Sequence, residues 1–208
     1  MAARFILAGV CLLLVLTTIQ TPAKDNDGVV ALGQRADGPL ASRERAGAGA
    51  ELVGLYTDLC LNRFPDEAKL AAAVRERGMT ALGPEAVKQY LHDDPGRGWT
   101  ARTAAGSYVV TIENPPYHAC AVRRLDAAPP SFRDTYQRAV TTWAAAQGRG
   151  SLRDYPPMNR TGDGMTINAT MSGVPGPNGK PVETFMAFVT TYDNGRIETR
   201  LVHQFPPR

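Results

Sequence analysis

Apolar residues recur with a helical period in the first half of the chain. Leu52, Leu55, Tyr56, Leu59 and Cys60 fall at i, i+3, i+4, i+7 and i+8, which predicts one apolar helical face with Cys60 on it. Phe64-Pro65-Asp66-Glu67 interrupts that pattern and supplies a proline and acids suited to a first turn. A second helix follows, with Leu70, Ala73 and Val74 inward and Gly78 as its stop. Gly83-Pro84 opens a third, with Val87, Tyr90 and Leu91 on one side, and Pro95-Gly96-Arg97-Gly98 ends it.

The period then changes to two. Tyr108, Val110 and Ile112 alternate, Asn114-Pro115-Pro116-Tyr117 turns the chain, and His118, Cys120, Val122 and Arg124 share a face of the next strand. Phe132, Tyr136, Ala139, Val140 and Trp143 trace a helical stripe ended by Gly148, with Ser131 and Asp134 placed as a capping box. Met165, Ile167, Ala169 and Met171 alternate again, and Gly173 to Pro181 reads as a loop. Two last strands flank Asn194-Gly195, a strong two-residue hairpin signal. That turn pairs Tyr192 with Ile197, Thr190 with Thr199, Phe188 with Leu201 and Met186 with His203, on the face expected to meet the helix. The prediction is an α+β domain: N-terminal helices, then β-β-α-β-β-β, an antiparallel sheet with helices packed on one face. Its element order resembles that of profilin-like and sensor-like folds.

Residues 1–23 read as a signal peptide. Arg4 gives a positive start, Phe5 to Leu16 is an unbroken apolar run, and Thr21 and Ala23 are small residues placed for cleavage before Lys24. The run is shorter than the ~20 residues a spanning helix wants, so no stable membrane span is expected after cleavage; retention would instead leave an N-terminal anchor. Residues 24–49, rich in Gly, Ala, Asp and Arg, read as a flexible tether, and 50–208 as a single folded domain.

Composition narrows the function classes. The 208 residues are 43% hydrophobic and 21% charged, ordinary globular usage. The formal net charge of +3 offers no broad basic field for nucleic acid. Arg outnumbers Lys, 19 to 4, which reads as GC-rich coding bias, because the Arg positions are scattered and Arg123-Arg124 is the only adjacent pair. Alternation puts those two on opposite faces of a strand. Cleavage would remove Cys11 and leave Cys60 and Cys120, which in an oxidising compartment form one disulfide.

Catalytic motifs with established spacing are missing: G-x-S-x-G, H-E-x-x-H, a phosphate loop and C-x-x-C all fail to match. His92-Asp93-Asp94 is the one local cluster able to act as acid, base or ligand, although a histidine at a helix end followed by Asp-Asp-Pro is also ordinary turn chemistry. His118 lies two residues from Cys120, where a Cys–His pair is conceivable only without the bridge. Trp99, in a polar Gly-rich stretch, reads either as a ligand platform or as a core plug. No metal or cofactor is expected.

Cys60 with Phe64-Pro65, and the string Pro115-Pro116-Tyr117-His118-Ala119-Cys120-Ala121-Val122-Arg123, resemble small exported proteobacterial proteins of uncharacterised function. The resemblance implies a periplasmic or envelope location and a paired cysteine. The expectation is a periplasmic or secreted domain without catalysis, contacting a small ligand or an envelope protein through Trp99, His92 or His118. The alternative is a small periplasmic hydrolase or metal-dependent enzyme using His92, Asp93 and Asp94, or His118.

Overall fold

An eight-stranded, wholly antiparallel sheet in the order β1-β2-β3-β4-β8-β7-β6-β5 organises the chain. The computed structural model describes residues 39–129 and 131–207, with side chains from residue 47 onward. The leader and the first part of the tether lie outside the described residues. The helices are α1 (Pro39–Tyr56), α2 (Glu67–Glu76), α3 (Pro84–Leu91) and α4 (Phe132–Ala146), with a π-helical turn at Thr57–Leu61 extending α1. The strands are β1 (Thr80–Ala81), β2 (Gly96–Thr103), β3 (Gly106–Glu113), β4 (Ala119–Arg124), β5 (Arg153–Gly162), β6 (Met165–Pro175), β7 (Pro181–Tyr192) and β8 (Ile197–Gln204).

The chain is mixed α+β with an antiparallel sheet. The helix α4 follows the Cys120 strand as expected, but the order of N-terminal helices and then β-β-α-β-β-β is corrected: β1 precedes α3, and β2 and β5 are strands the expectation lacked. Helix α1 begins at Pro39, inside the stretch read as tether. Strand β2 occupies the Gly-rich segment read as irregular. Strand β5 was hidden by its sequence, RDYPPMNRTG, which is polar and carries Pro156-Pro157. Prolines lack the N–H that a ladder needs, and β5 admits them because it is an edge strand with its register broken between Tyr155 and Met158.

Cross-strand register sorts the sheet into two faces. The first carries Tyr108, Val110 and Ile112 of β3, Cys120 and Val122 of β4, Leu201 and His203 of β8, and Phe185 and Ala187 of β7. Against it pack Leu52, Tyr56 and Leu59, Leu70 and Val74 of α2, and Phe132, Tyr136 and Val140 of α4, forming the main core. The sulfurs of Cys60 and Cys120 are bonded, with Cα atoms 5.4 Å apart, so the bridge ties the π-turn to β4 in the middle of this core.

The hairpin register differs from the expectation by one residue. Thr191 pairs with Ile197, Val189 with Thr199, Ala187 with Leu201 and Phe185 with His203. The cause is the turn. Gly195 N–H donates to the Tyr192 carbonyl at 2.9 Å, and Gly195 is left-handed (φ 79°) while Asn194 is not. The loop is therefore a three-residue turn with a left-handed glycine, in place of the two-residue type that needs both central residues at positive φ. One extra loop residue turns the side chains of β7 over. Met186 and Phe188, and Met171 and Ala169 paired to them on β6, consequently face away from α4.

That second face is not bare, which corrects the expectation that helices pack on one face alone. Helix α3 lies on it over β2 and β3. Arg123 of the second face donates to the Tyr90 carbonyl of α3 at 3.2 Å. A Cβ placed on Gly96 would sit 2.3 Å from Leu91 Cδ1. Beyond α3, Ala119, Ala121 and Val202 form a small second core with Met186 and Phe188 packed on it.

Candidate functional site

Glycine makes room for α3. On β2, a Cβ at Gly96 would meet the Ile112 carbonyl oxygen at 2.2 Å, and one at Gly98 would meet Leu82 Cδ1 at 2.8 Å. Two missing side chains on one strand face thus let the helix and its leading segment approach the sheet. Gly96-Arg97-Gly98 is a packing device and no phosphate loop. Gly83 precedes the helix and Pro84 fills its first turn, where a missing N–H costs nothing. At the other end His92 takes a left-handed backbone conformation (φ 58°, ψ −121°), rare for a residue with a Cβ. The Asp94 N–H then donates to the Leu91 carbonyl at 3.1 Å, and the chain reverses into β2.

The result is a cleft of about 500 Å³ between α3 and the β1–β2 edge, lined by Ala81, Leu82, Val87, Lys88, His92 and Trp99 among others. Three sequence-selected positions, His92, Asp93 and Asp94, line it together with Trp99. Trp99 is buried and joins the first-face core. His92 is exposed at the end of α3 and makes no hydrogen bond among the described residues. Asp93 pairs with Lys88 at 3.2 Å in the open. Asp94 stands beside Glu113, whose carboxyl is pushed above the usual carboxylate range by burial and by the Asp94 charge. No group of three His, Cys, Asp or Glu side chains among the described residues is placed to hold a metal ion.

His118 lies elsewhere. It packs edge-on against Phe64, ring centroids 4.6 Å apart, and lines a separate hollow of about 770 Å³ with Pro65, Pro116, Pro181, Val182 and Phe205. His92 and His118 therefore do not share one cleft. The Phe64-Pro65 and Pro115-Pro116 peptides there are both cis. Cys60 and Cys120 spend their thiols on each other, so His118 has no thiolate to activate.

Sequence reasoning placed His203 on the inward face but missed its buried partner Glu183. His203 is fully buried, with Nδ1 at 2.7 Å from the Cys60 carbonyl and Nε2 at 2.6 Å from Glu183 Oε1. Since a carbonyl can only accept, Nδ1 carries a proton. Glu183 Oε2 faces Arg149 Nε at 3.2 Å. Aromatic rings wall the imidazole: Phe185 at 4.8 Å, Phe205 at 5.2 Å and Trp143 at 5.4 Å between centroids. Nothing here could receive a substrate, because His203 is shut off from solvent. The readable signal was Glu183 and His203 at inward positions of two adjacent strands, legible only once the hairpin register was right.

Compared with family models, curated proteins and solved structures, the chain finds no match. Among the described residues no helix is long and apolar enough to cross a membrane.

Proposed function

We propose that the chain is an exported, non-catalytic binding domain of the bacterial cell envelope, and that it takes a small ligand in the cleft beside α3. The leader sequence and the disulfide support export, because such bridges persist in oxidising compartments. The Cys60, Phe64-Pro65 and Pro115–Arg123 resemblance supports an envelope location. The cleft is the single observation that carries binding. At about 500 Å³ it falls within the range of small-molecule sites, and apolar walls from Leu82, Val87 and Pro84 stand beside the polar heads of Lys88 and His92. The hydrolase reading has less support, since among the described residues the His92 side chain makes no hydrogen bond or ion pair that would pair it as a base.

The test is native and denaturing mass spectrometry of the protein expressed with its own leader and purified without reductant. The expected mass begins near Lys24 and is two hydrogens light. A Val87→Trp variant should fill the cleft and abolish binding of any retained or screened ligand without unfolding the domain. A retained leader or free thiols would overturn export with a bridge, and ligand binding unchanged in Val87→Trp would overturn the cleft.

A further inference from the structure

The second face holds another hollow, on the opposite flank of α3 from the cleft. It measures about 290 Å³, and its lining includes Leu91, Ala121, Arg123, Met186, Phe188 and Arg200. Its floor is the second core, Ala119, Ala121 and Val202, three side chains too short to fill the space above them. Its polar lining is two guanidinium ions, one acid (Glu113), Thr111 and Gln204.

The two arginines are treated differently. Arg123 is buried and fully engaged: Nη1 donates to Thr111 Oγ1 at 2.8 Å, Nη2 to the Tyr90 carbonyl at 3.2 Å, and Nε faces Glu198 Oε1 at 3.5 Å. Arg200 has none of this. Its Nε is enclosed without a hydrogen-bond partner. Its guanidinium carbon lies 4.4 Å from the Phe188 ring centroid, and the charges of Glu198 and Glu113 favour it only at longer range than an ion pair. A half-buried cation with unused donors is expensive unless something supplies an acceptor. Glu198 is taken by Arg123. Glu113 has its carboxyl pushed up by burial and by the Asp94 charge, which makes it a poorer counter-ion than a free carboxylate. Burial and the nearby Arg200 push Arg123 down to about 10, against the opposing pull of Glu198 and Glu113.

We propose that this hollow binds a small monocarboxylate with an apolar body, its acid group on Arg200 and its body over Ala119, Ala121, Val202 and Met186. A planar carboxylate can take two donors of the guanidinium fork at once. A phosphate dianion fits less well, because Glu113 and Glu198 line or flank the same space. A metal cation is repelled by two arginines. At the roughly 30 Å³ that one water occupies in the liquid, the space holds on the order of ten heavy atoms, so the ligand is short. The site is independent of the α3 cleft and stands or falls separately from it.

Isothermal titration of the mature, bridged protein with octanoate, octanamide and inorganic phosphate tests this. Octanoate should bind saturably, about tenfold or more tighter than octanamide, the ratio expected of a charge-assisted pair. Phosphate should not compete. Arg200→Gln should erase the preference for the acid while Val87→Trp, on the other flank of α3, leaves it intact. Equal affinity for octanoate and octanamide, which needs no variant to measure, would overturn the proposal. So would octanoate binding unchanged in folded Arg200→Gln, or no saturable binding up to about 10 mM, a concentration above the weakest useful affinities.

Discussion

Glu183 and His203 meet diagonally across β7 and β8 in the main core, Oε1 to Nε2 at 2.6 Å, and both are closed off from solvent. The pair is joined at one end to the disulfide segment through the Cys60 carbonyl and at the other to Arg149 after α4. It therefore ties β7, β8, the π-turn and the end of α4 with directional bonds, where apolar packing alone would tolerate slippage. Removing one member leaves the other buried and unpaired. Glu183→Ala should cost about 3–5 kcal/mol. For a unit of this size that is a fall in Tm on the order of 10 °C. Differential scanning calorimetry at neutral pH measures it, and a fall of less than about 2 °C would show that the pair does not hold the core.

The Cys60–Cys120 bridge closes a loop of 60 residues. On the chain-entropy account it contributes roughly 4 kcal/mol, a large part of a typical total stability. Cys60→Ser with Cys120→Ser, purified alongside the bridged protein, should show a midpoint in urea lowered with little loss of native circular dichroism. Equal midpoints would mean that packing around Leu59 and Val122 already fixes that geometry.

How much of this was readable from the chain depended on whether one residue's environment or two strands' alignment decided the outcome. The helices α2 and α3 were legible because Asp66 and Gly83-Pro84 mark their starts locally; Asp66 accepts from the Lys69 N–H at 3.0 Å. The capping box at Ser131 was not formed, because Ser131 is left-handed (φ 58°) and its hydroxyl makes no cap bond. The cysteine pairing was legible by elimination once residues 1–23 were read as a cleaved leader that takes Cys11 with it. Register was not, since Asn194-Gly195 fits a two-residue turn and a three-residue turn equally well as a sequence. The second face could have been suspected. Tyr108 to Ile112 is apolar at nearly every position and all six residues of β4 are buried, the pattern of strands covered on both sides. Attention to the alternating half of that run concealed the other half, where Arg123 and the Arg200 hollow lie.

Gly96 fixes the seat of α3. A methyl group there would collide with the Ile112 carbonyl oxygen at 2.2 Å, and backbone cannot swing aside as a side chain can. Gly96→Ala should therefore lift α3 and cost about 1–3 kcal/mol, the range of overpacking. It should also weaken ligand binding in the cleft, because Val87 and Lys88 move with the helix. Gly47→Ala, where the added Cβ meets nothing within 4 Å, is the control. Comparable stability for the two variants would refute the close approach.

Asp58 gives an acid-side prediction. Burial alone would raise its carboxyl, but hydrogen bonds from Arg77 and Arg63 outweigh burial and hold it below the usual range. A lowered native pKa means that the unfolded chain takes up its proton first as pH falls. The stabilisation is present above the ordinary carboxylate pKa and is lost as pH drops through the lower native value. Asp58→Asn should flatten the acid limb of a stability-against-pH curve and leave its shape above pH ~6 unchanged. An acid limb identical to that of wild type would show that neither arginine acts on Asp58 in solution.

Glu113 predicts the opposite slope. Its carboxyl is raised by burial and by Asp94, so the native chain binds this proton more tightly than the unfolded chain does. Stability from this group is complete below the ordinary carboxylate pKa and declines as pH rises through the native value. At neutral pH the ionised Glu113 is thus a burden on the fold, carried next to Asp94 at the junction of α3 and β2. Glu113→Gln, which keeps the shape and removes the charge, should stabilise the protein at pH 7 and lose that advantage near pH 4, where the native carboxyl is protonated. Urea midpoints at the two pH values measure it. An advantage that is equal at both would assign the gain to the amide's own hydrogen bonds, and the Asp94–Glu113 repulsion would then play no part in setting how firmly α3 holds the sheet.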